Sequence, residues 1–181
     1  YRLAFAGANG ISNRGTIVST AYNLFEPFRA AMAERKDEAI RDISFQEGRF
    51  VVSEALSIND VGTMVGYSSN GKDGSAHAVV FDGAGGFTDL GTFEGMPDSV
   101  ATDVSDTGDI VGYAYGFNDE GVVGTAFLYR DGTLIDLMSM LPKGSGWDSL
   151  VRADGVNNKG QIVGAGIYRG EYRAFLIDTK A

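Results

Sequence analysis

A short pattern recurs four times along this chain at a constant spacing, and this repetition constrains the fold more than any single residue does. Its alanines are Ala30, Ala78, Ala126 and Ala174, each 48 residues from the next. A fixed period of this size indicates a supersecondary unit that is copied along the chain, because one unit cannot bury its apolar face without a neighbour. The sequence therefore predicts a repeat protein.

A second motif precedes each of these alanines and predicts how one unit folds. Its copies begin at Ala8, Ala55, Ala101 and Ala153, and each contains a turn of polar residues that ends in glycine. Asn, Asp, Ser and Gly suit tight turns, and the surrounding apolar residues alternate with the period of two that is typical of strands. We therefore predict four short strands, a to d, in each unit. Glycines in strand b, at positions 66, 112 and 164, indicate the close approach of a neighbouring sheet.

The first unit departs most from this pattern. Ser19 replaces the glycine of its strand b. Residues 28–33 belong to a stretch with fair helix propensity, but the repeat register predicts a strand there and a turn at residues 34–38.

The two ends of the chain predict how the units are arranged. The last repeat stops after its strand c, and residues 1–7 precede the first unit. If residues 1–7 supply the missing outer strand, the sheets form a ring without exposed edges. We predict an all-β fold, a four-bladed β-propeller of about 48-residue repeats that is closed by its N-terminal strand. The single domain would span residues 1–181, with repeats at 8–54, 55–100, 101–152 and 153–181 plus 1–7; an open fragment of a larger propeller and a stacked β-solenoid are the alternatives.

The composition argues against several classes of partner. The formal net charge is -9 at pH 7, which disfavours nucleic acid and anionic membrane surfaces. The chain has no cysteine, so it cannot form a disulfide framework or a cysteine-based zinc site. No apolar run reaches the roughly 20 residues of a membrane-spanning helix. We therefore expect neither nucleic-acid binding nor membrane insertion.

Three blocks of the second unit resemble the HAF repeat, which is named for a His-Ala-Phe strand. They are residues 55–67, His77-Ala-Val-Val-Phe and Phe87-Thr-Asp-Leu-Gly-Thr. The resemblance covers nearly the whole chain and is strongest from residue 55 to residue 178. HAF repeats occur in predicted extracellular bacterial proteins, so the resemblance implies an extracellular, cell-surface or periplasmic location. It supplies no catalytic residues, and Thr125 and Arg173 replace the name-giving histidine in later units.

The third unit contains the best candidate for a metal site. Asp103, Ser105, Asp106 and Asp109 place oxygen ligands around a glycine turn, which is what a calcium loop requires. The other units do not repeat this set, because Thr16, Thr63 and Gln161 stand where the third unit has Asp109. An Asx-type turn with solvated carboxylates is the alternative. Calcium is the only cofactor that these residues predict.

Paired carboxylates predict a second type of function, the hydrolysis of a polysaccharide. Two carboxylates about 5–9 Å apart can cleave a glycosidic bond, and Glu94, Asp98, Asp119 and Glu120 are the candidates. Acidic residues are frequent in this chain, so solvated surface charge is the alternative. The sequence therefore favours a non-catalytic protein over an enzyme.

Aromatic residues concentrate near the b–c and d–a connections, which leave the same end of an up-and-down sheet. Tyr115, Phe117, Trp147 and Tyr168, together with Asp98, are predicted to bind a ligand. Loops on a rigid scaffold commonly carry function, and exposed aromatic rings are favoured anchors for ligands. The alternative is that these rings pack between the sheets.

The sequence thus predicts a non-catalytic, extracytoplasmic recognition or adhesion module that binds a protein or a glycan through its long-loop end. A carboxylate-based polysaccharide hydrolase and a structural spacer in a larger surface protein are the alternatives. We expect a monomer, or a dimer formed by exchange of the N-terminal strand.

Overall fold

In the computed structural model, the described residues form fifteen β-strands in four antiparallel sheets. These residues are 4–23, 26–34, 39–44, 52–69, 74–119 and 121–180. Within each sheet the strands follow one another in chain order. Each sheet corresponds to one repeat, so the prediction of an all-β fold is confirmed.

The first two sheets contain the first eight strands. The first sheet contains β1 (Ala4–Ile11), β2 (Ile17–Asn23), β3 (Glu26–Ala33) and β4 (Arg41–Asp42). The second sheet contains β5 (Ser53–Ile58), β6 (Met64–Ser69), β7 (Ala76–Phe81) and β8 (Phe87–Gly91). The strand predicted at residues 28–33 is confirmed within β3, whereas residues 35–38 of the predicted turn lie outside the described residues.

The last two sheets contain seven described strands and one short helix. The third sheet contains β9 (Asp98–Val104), β10 (Ile110–Asn118), β11 (Gly121–Arg130) and β12 (Thr133–Asp136). A 3-10 helix follows at Leu137–Met140. The fourth sheet contains β13 (Trp147–Val156), β14 (Gln161–Tyr168) and β15 (Glu171–Asp178). Among the described residues, no helix has the length and apolar character needed to cross a membrane.

Tight turns join the first two strands of every sheet, as predicted. In the second sheet, the Gly62 N–H donates to the Asn59 carbonyl oxygen at 3.2 Å, and the Thr63 N–H donates to Asn59 Oδ1 at 2.7 Å. Gly62 has a φ of +97°, a conformation that glycine adopts at little cost. The polar residue at the start of the turn and the glycine at its end therefore fix where β5 ends and β6 begins.

Glycine in the second strand of a sheet is required by the strand beside it. A Cβ atom built on Gly112 would overlap the Val100 carbonyl oxygen and would lie 2.8 Å from the Phe127 ring. Gly66 and Gly164 face carbonyl oxygens of their own first strands in the same way. The prediction of a close approach is therefore correct, but the approaching backbone belongs to the same sheet. The reason is a β-bulge in the first strand beside each of these glycines, which changes the local course of that strand.

The apolar core lies between successive sheets. The first strand of one sheet packs on the second and third strands of the sheet before it. Between the second and third sheets, Ala101 and Val104 of β9 pack with Val65 and Ala78, and all four side chains are buried. Equivalent clusters join the first sheet to the second and the third sheet to the fourth. Each unit thus covers the apolar face of the unit before it.

A row of hydrogen bonds, which we call the turn ladder, joins the tight turns of successive sheets. Its members are Asn13, Asp60, Asp106 and Asn158. The Asn13 N–H donates to Asp60 Oδ1 at 2.6 Å, and the Asp60 N–H donates to Asp106 Oδ1 at 2.8 Å. The Asp106 N–H donates in turn to Asn158 Oδ1 at 2.8 Å. All three bonds run in the same direction, so one polar contact repeats at every interface between sheets.

The N-terminal strand does not complete the fourth sheet. Residues 4–11 form β1, which pairs with β2 through positions such as Ala4 with Tyr22 and Gly7 with Thr20. This pairing satisfies backbone groups of β2 that would otherwise lack partners, and it keeps residues 4–7 in the first sheet. Their assignment to the last repeat is therefore wrong. The described fourth sheet has three strands, and closure of a four-bladed ring is not confirmed.

Candidate functional site

The residues predicted to bind a ligand lie at the end of the sheets opposite the turn ladder. Tyr115 and Phe117 are near the end of β10, Trp147 begins β13, and Tyr168 ends β14. The sequence predicted Tyr115 and Phe117 in a loop, but the pairing of β10 with β11 continues as far as Asn118. These two rings are therefore held by a sheet, which positions them more firmly than a loop would.

Three aromatic residues alternate along β10 and form what we call the aromatic row: Tyr113, Tyr115 and Phe117. Alternate residues of a strand project from the same face. The ring centroids of the first two residues are 5.9 Å apart, and those of the last two are 6.5 Å apart. The two tyrosines are half-buried, whereas Phe117 is 73% exposed. The row therefore runs from the sheet interface to an exposed ring.

Asp98 lies beside the aromatic row. It begins β9 and stands opposite Tyr115 in the pairing of β9 with β10. Its Oδ1 accepts a hydrogen bond from the Ala76 N–H at 2.8 Å, which fixes the carboxylate. Burial raises the pKa of Tyr115, and the charges of Asp98 and Tyr113 raise it further. The structure thus brings together a protonated phenol that can donate hydrogen bonds and a fixed carboxylate that can accept them.

The second sheet contributes Tyr67 to this surface. Tyr67 occupies the repeat position of Tyr113, and its hydroxyl donates to Glu54 Oε2 at 3.2 Å. The pKa of Tyr67 is raised to about 12, and burial is the largest cause. The charge of Glu54 and its hydrogen bond to Tyr67 raise the pKa further, and Tyr115 and Tyr113 make smaller contributions. The charge of Tyr67 is thus coupled to the two tyrosines of the third sheet. Sequence reasoning missed Tyr67, Tyr113 and Glu54, although the tyrosine shared by positions 67 and 113 of the repeat was a signal.

The raised pKa of Tyr67 predicts a loss of stability in alkaline solution. The folded protein holds the Tyr67 proton more tightly than the unfolded chain, in which the pKa is near the ordinary value of 10.0. This contribution to stability is complete below pH 10 and is lost as the pH rises through about 12, because the unfolded state releases the proton first. Thermal melts of the Tyr67→Phe variant should show a shallower fall in Tm across this range than wild type. The exposed Tyr172→Phe is the control, and equal slopes for Tyr67→Phe and wild type would contradict the assignment.

An open groove lies beside the aromatic row, between the third and fourth sheets. Its volume is about 380 Å³, and it is lined by Tyr113, Tyr115, Val122, Gly124, Val151 and Arg152. Val122 is exposed, and Arg152 forms an ion pair with Asp154 at 2.9 Å. The groove therefore combines apolar and aromatic walls with a few polar groups, the composition that is typical of ligand sites.

A second groove occupies the equivalent place between the first and second sheets. Its volume is about 470 Å³, and it is lined by Gly7, Asn9, Thr20, Phe28, Glu54 and Tyr67. Glu54 stands at the repeat position of Arg152 and carries the opposite charge. Its carboxylate accepts hydrogen bonds from the side chains of Asn9, Thr20 and Tyr67. Sequence reasoning missed this groove, because the first unit is the least regular of the four.

Trp147 and Tyr168 form a separate aromatic pair at the same end of the fourth sheet. Their ring centroids are 5.3 Å apart, and Trp147 also meets the Phe175 ring at 6.0 Å. Trp147 packs against the apolar cluster between the third and fourth sheets, and the Arg169 guanidinium lies 5.2 Å from the centre of the Tyr168 ring. Trp147 is therefore partly a core residue, which is the alternative that the sequence left open.

Two of the residues predicted to bind calcium join neighbouring sheets. Asp103 Oδ1 accepts from Ser57 Oγ at 2.7 Å, and its Oδ2 accepts from the Val156 N–H at 2.9 Å. Asp106 is a member of the turn ladder, and its Oδ2 also accepts from Asn158 Nδ2 at 2.7 Å. Both carboxylates therefore have protein donors on each oxygen.

The other two residues of this set stabilise the turn itself. Asp109 is 4% exposed, and its Oδ1 forms an ion pair with Arg130 Nε at 2.6 Å. The same hydrogen bond raises the pKa of Arg130. Ser105 Oγ accepts from the Asp109 N–H at 3.1 Å. In the part of the chain that the structure describes, no group of three or more His, Cys, Asp or Glu residues could hold a metal ion.

Calcium is expected to leave the melting temperature unchanged. The carboxylates of Asp103, Asp106 and Asp109 already accept hydrogen bonds from the protein, and a metal ion would have to displace these donors. Differential scanning calorimetry with added calcium or with a chelator measures this directly. A calcium-dependent rise in Tm that disappears in Asp106→Asn would contradict the prediction.

His77 forms a polar pair at the surface of the second sheet. Its Nδ1 lies 2.8 Å from Asp89 Oδ2, and Ser68 stands opposite His77 in the pairing of β6 with β7. The Ser68 hydroxyl is buried and has no hydrogen-bond partner, so it is not paired with His77 as a nucleophile with its base.

These observations define a class of fold, an all-β repeat protein with four antiparallel sheets arranged as in a β-propeller. Among solved structures, the chain is similar to TolB from Acinetobacter baumannii, with a TM-score of 0.53 and 14% sequence identity. The similarity covers 95% of this chain and 43% of the TolB chain, so this chain spans less than half the length of that protein. No protein-family model and no curated protein matches it. At this identity the similarity to TolB shows the fold alone.

Proposed function

We propose that this protein is a non-catalytic recognition module that binds a protein or a glycan at the end of the sheets opposite the turn ladder. One observation carries the proposal: the aromatic row runs from the groove between the third and fourth sheets to the exposed ring of Phe117. Aromatic side chains supply a large contact area at a low cost in conformational entropy. A row of aromatic residues on a strand can therefore bind a ligand with little loss of conformational entropy.

Polar groups around the row support the same proposal. The Tyr113 and Tyr115 hydroxyls provide hydrogen-bond donors, Asp98 provides a carboxylate, and Arg152 provides a positive charge at the groove. Sugar hydroxyls and peptide groups can satisfy all three types of partner. The groove and the row together would accommodate a sugar ring or the side chains of a protein.

The proposal includes an extracytoplasmic location, at the cell surface, outside the cell or in the periplasm. The resemblance of residues 55–67, 77–81 and 87–92 to HAF repeats supports this location. Fractionation of the native source with an antibody to this chain tests it, and recovery in the cytosolic fraction would contradict it.

The binding function is tested with the full chain on a glycan array, and ligands found there are titrated by calorimetry. We expect the double variant Tyr115→Ala/Phe117→Ala to weaken binding at least tenfold, the loss of about 1.4 kcal/mol or more that is common for aromatic anchors. Tyr172→Ala is the matched control, because Tyr172 is also an exposed aromatic but lies on β15. It should bind as wild type does.

Two results would contradict this proposal. One is a ligand whose affinity is unchanged in the double variant, which would remove the aromatic row from the site. The other is failure of the wild-type chain on the glycan array and also in a protein-domain display library. Melting temperatures of the variants accompany each titration, because Tyr115 is half-buried and its loss must not be confused with unfolding.

The hydrolase alternative remains a prediction from the sequence. Asp98 Oδ1 accepts a hydrogen bond from the Ala76 N–H, and Glu94 and Asp119 are exposed, whereas Glu120 lies outside the described residues. A reducing-end assay on a panel of polysaccharides would detect this activity. Turnover that Asp98→Asn abolishes would favour the enzyme over the recognition module.

A further inference from the structure

The last sheet exposes a face that includes two repeat positions buried in every other sheet. We call Val163, Ala174 and Leu176 the tail face; Val163 is 45% exposed, Leu176 is 64% exposed, and Ala174 is exposed as well. At the same repeat positions, the earlier sheets hold residues with no exposure, namely Val18, Val65 and Val111 for Val163, and Ala30, Ala78 and Ala126 for Ala174. In those sheets the first strand of the following unit supplies the cover. The tail face therefore has the composition of an interior surface.

The first sheet exposes the surface that would complement it. In the later units, the cover comes from an alanine and a branched apolar residue of the first strand; these pairs are Ala55 with Ile58, Ala101 with Val104, and Ala153 with Val156. The first sheet has Ala8 and Ile11 at these positions. We call them the head face; both are exposed, and Ile11 is 67% exposed. The residue types needed to cover the tail face are thus present at the other end of the chain.

The turn ladder ends at the same two surfaces. The N–H groups of Asn13, Asp60 and Asp106 each donate to the next turn, but the Asn158 N–H has no acceptor among the described residues. At the other end, Asn13 Oδ1 accepts no hydrogen bond from a described residue, whereas the Oδ1 atoms of the other three members each accept one. The last donor and the first acceptor have the direction and chemistry of the three internal bonds.

We propose that the tail face of one molecule binds the head face of a second copy of this chain. Ala8 and Ile11 of the second copy would cover Val163, Ala174 and Leu176, and the Asn158 N–H would donate to Asn13 Oδ1 of that copy. The interface repeats a contact that the chain makes three times internally. A head-to-tail contact of this kind closes into a ring or continues as a filament.

The proposal is tested with two variants that each block one face. Leu176→Asp places a charge on the tail face, and Ile11→Asp places one on the head face; both side chains are exposed, so the folded chain should tolerate either change. Sedimentation velocity should show wild type assembling as its concentration rises, and each variant alone remaining monomeric. An equal mixture of the two variants retains one intact tail face and one intact head face, and should form a one-to-one dimer and nothing larger. Val61→Asp is the control, since Val61 is 63% exposed in a turn of the second unit and its replacement should leave assembly unchanged.

Amide hydrogen exchange gives a second, site-specific measurement. The Asn158 amide should exchange quickly in dilute wild type, become protected on assembly, and remain unprotected in Leu176→Asp at any concentration. The Asp60 and Asp106 amides are internal references that stay protected throughout. A wild type that is monomeric at all concentrations would overturn the proposal, as would assembly that persists in both aspartate variants. The Tyr115→Ala/Phe117→Ala variant should still assemble, so failure of the binding function and failure of this proposal are distinguishable.

Discussion

Replacement of Gly112 by alanine is expected to lower the free energy of unfolding by about 3 kcal/mol or more. The added Cβ would overlap the Val100 carbonyl oxygen and would lie 2.8 Å from Phe127 Cζ. Neither neighbour can easily move, because Val100 is held in β9 by its pairing with Tyr113 and Phe127 is fully buried. Denaturant unfolding followed by the fluorescence of Trp147, the single tryptophan, measures the change.

Gly7→Ala is the matched control for this prediction. A Cβ atom on Gly7 would meet nothing within 4 Å, so we expect a change of less than about 0.5 kcal/mol. If Gly112→Ala lowered the free energy of unfolding as little as Gly7→Ala does, β9 and β10 would be able to separate at Gly112, and the prediction would be contradicted. The first sheet already carries Ser19 at the position of Gly112, and the Ser19 hydroxyl donates to the Gly7 carbonyl oxygen. Two bulges interrupt the pairing of β1 with β2, and the bulge at Ala8 recurs beside the glycines of the other sheets.

Phe127→Ala is expected to destabilise the protein by about 3–5 kcal/mol. Phe127 has no exposure and packs with Val65, Leu90 and Val104 between the second and third sheets. Its removal would leave a cavity that two sheets cannot close without breaking their own pairing. Calorimetry should therefore show a large fall in Tm. Ala78 of the second sheet belongs to the same cluster. The fall in stability therefore measures the contact between the second and third units as well as the packing of the third unit.

Phe117→Ala is the control within the same sheet. Phe117 is 73% exposed, so its removal should change the free energy of unfolding by less than about 1 kcal/mol. The two variants separate stability from binding. Phe127→Ala should unfold at a lower temperature, whereas Phe117→Ala should fold normally but bind ligand more weakly. Equal effects of both changes on Tm would contradict the packing described for Phe127.

The sequence predicted the strands and turns well, because period and turn chemistry are local properties. The glycine at the end of each tight turn and the alternation around it placed β5 and β6 correctly. Closure of the ring is not confirmed, and residues 4–7 lie in the first sheet instead of the last. The physical reason is that an extended apolar segment can serve as an inner or an outer strand, and alternation does not distinguish them. The neighbour of Gly112 was also misidentified, because a bulge in β9 depends on pairing that the sequence does not display.

Part of the candidate site could be predicted as well. Tyr115, Phe117 and Asp98 come together, whereas Trp147 lies in a separate group and is partly a core residue. Tyr67 and Tyr113, which the sequence did not predict as binding residues, lie on strands, whereas the predicted binding residues were expected near loops. The function of Asp106 in the turn ladder was hidden because its partners are 46 and 52 residues away, and short motifs report only on neighbours in sequence.

The contacts between successive sheets have a consequence for how the protein opens. Because each sheet packs mainly on the sheets before and after it, stability should follow nearest-neighbour cooperativity. The second and third sheets have two neighbours each, whereas the first and fourth have one. In the isolated chain, local unfolding should therefore begin at the first and fourth sheets and proceed to the second and third. The amides of β6 and β10 should be the last to exchange.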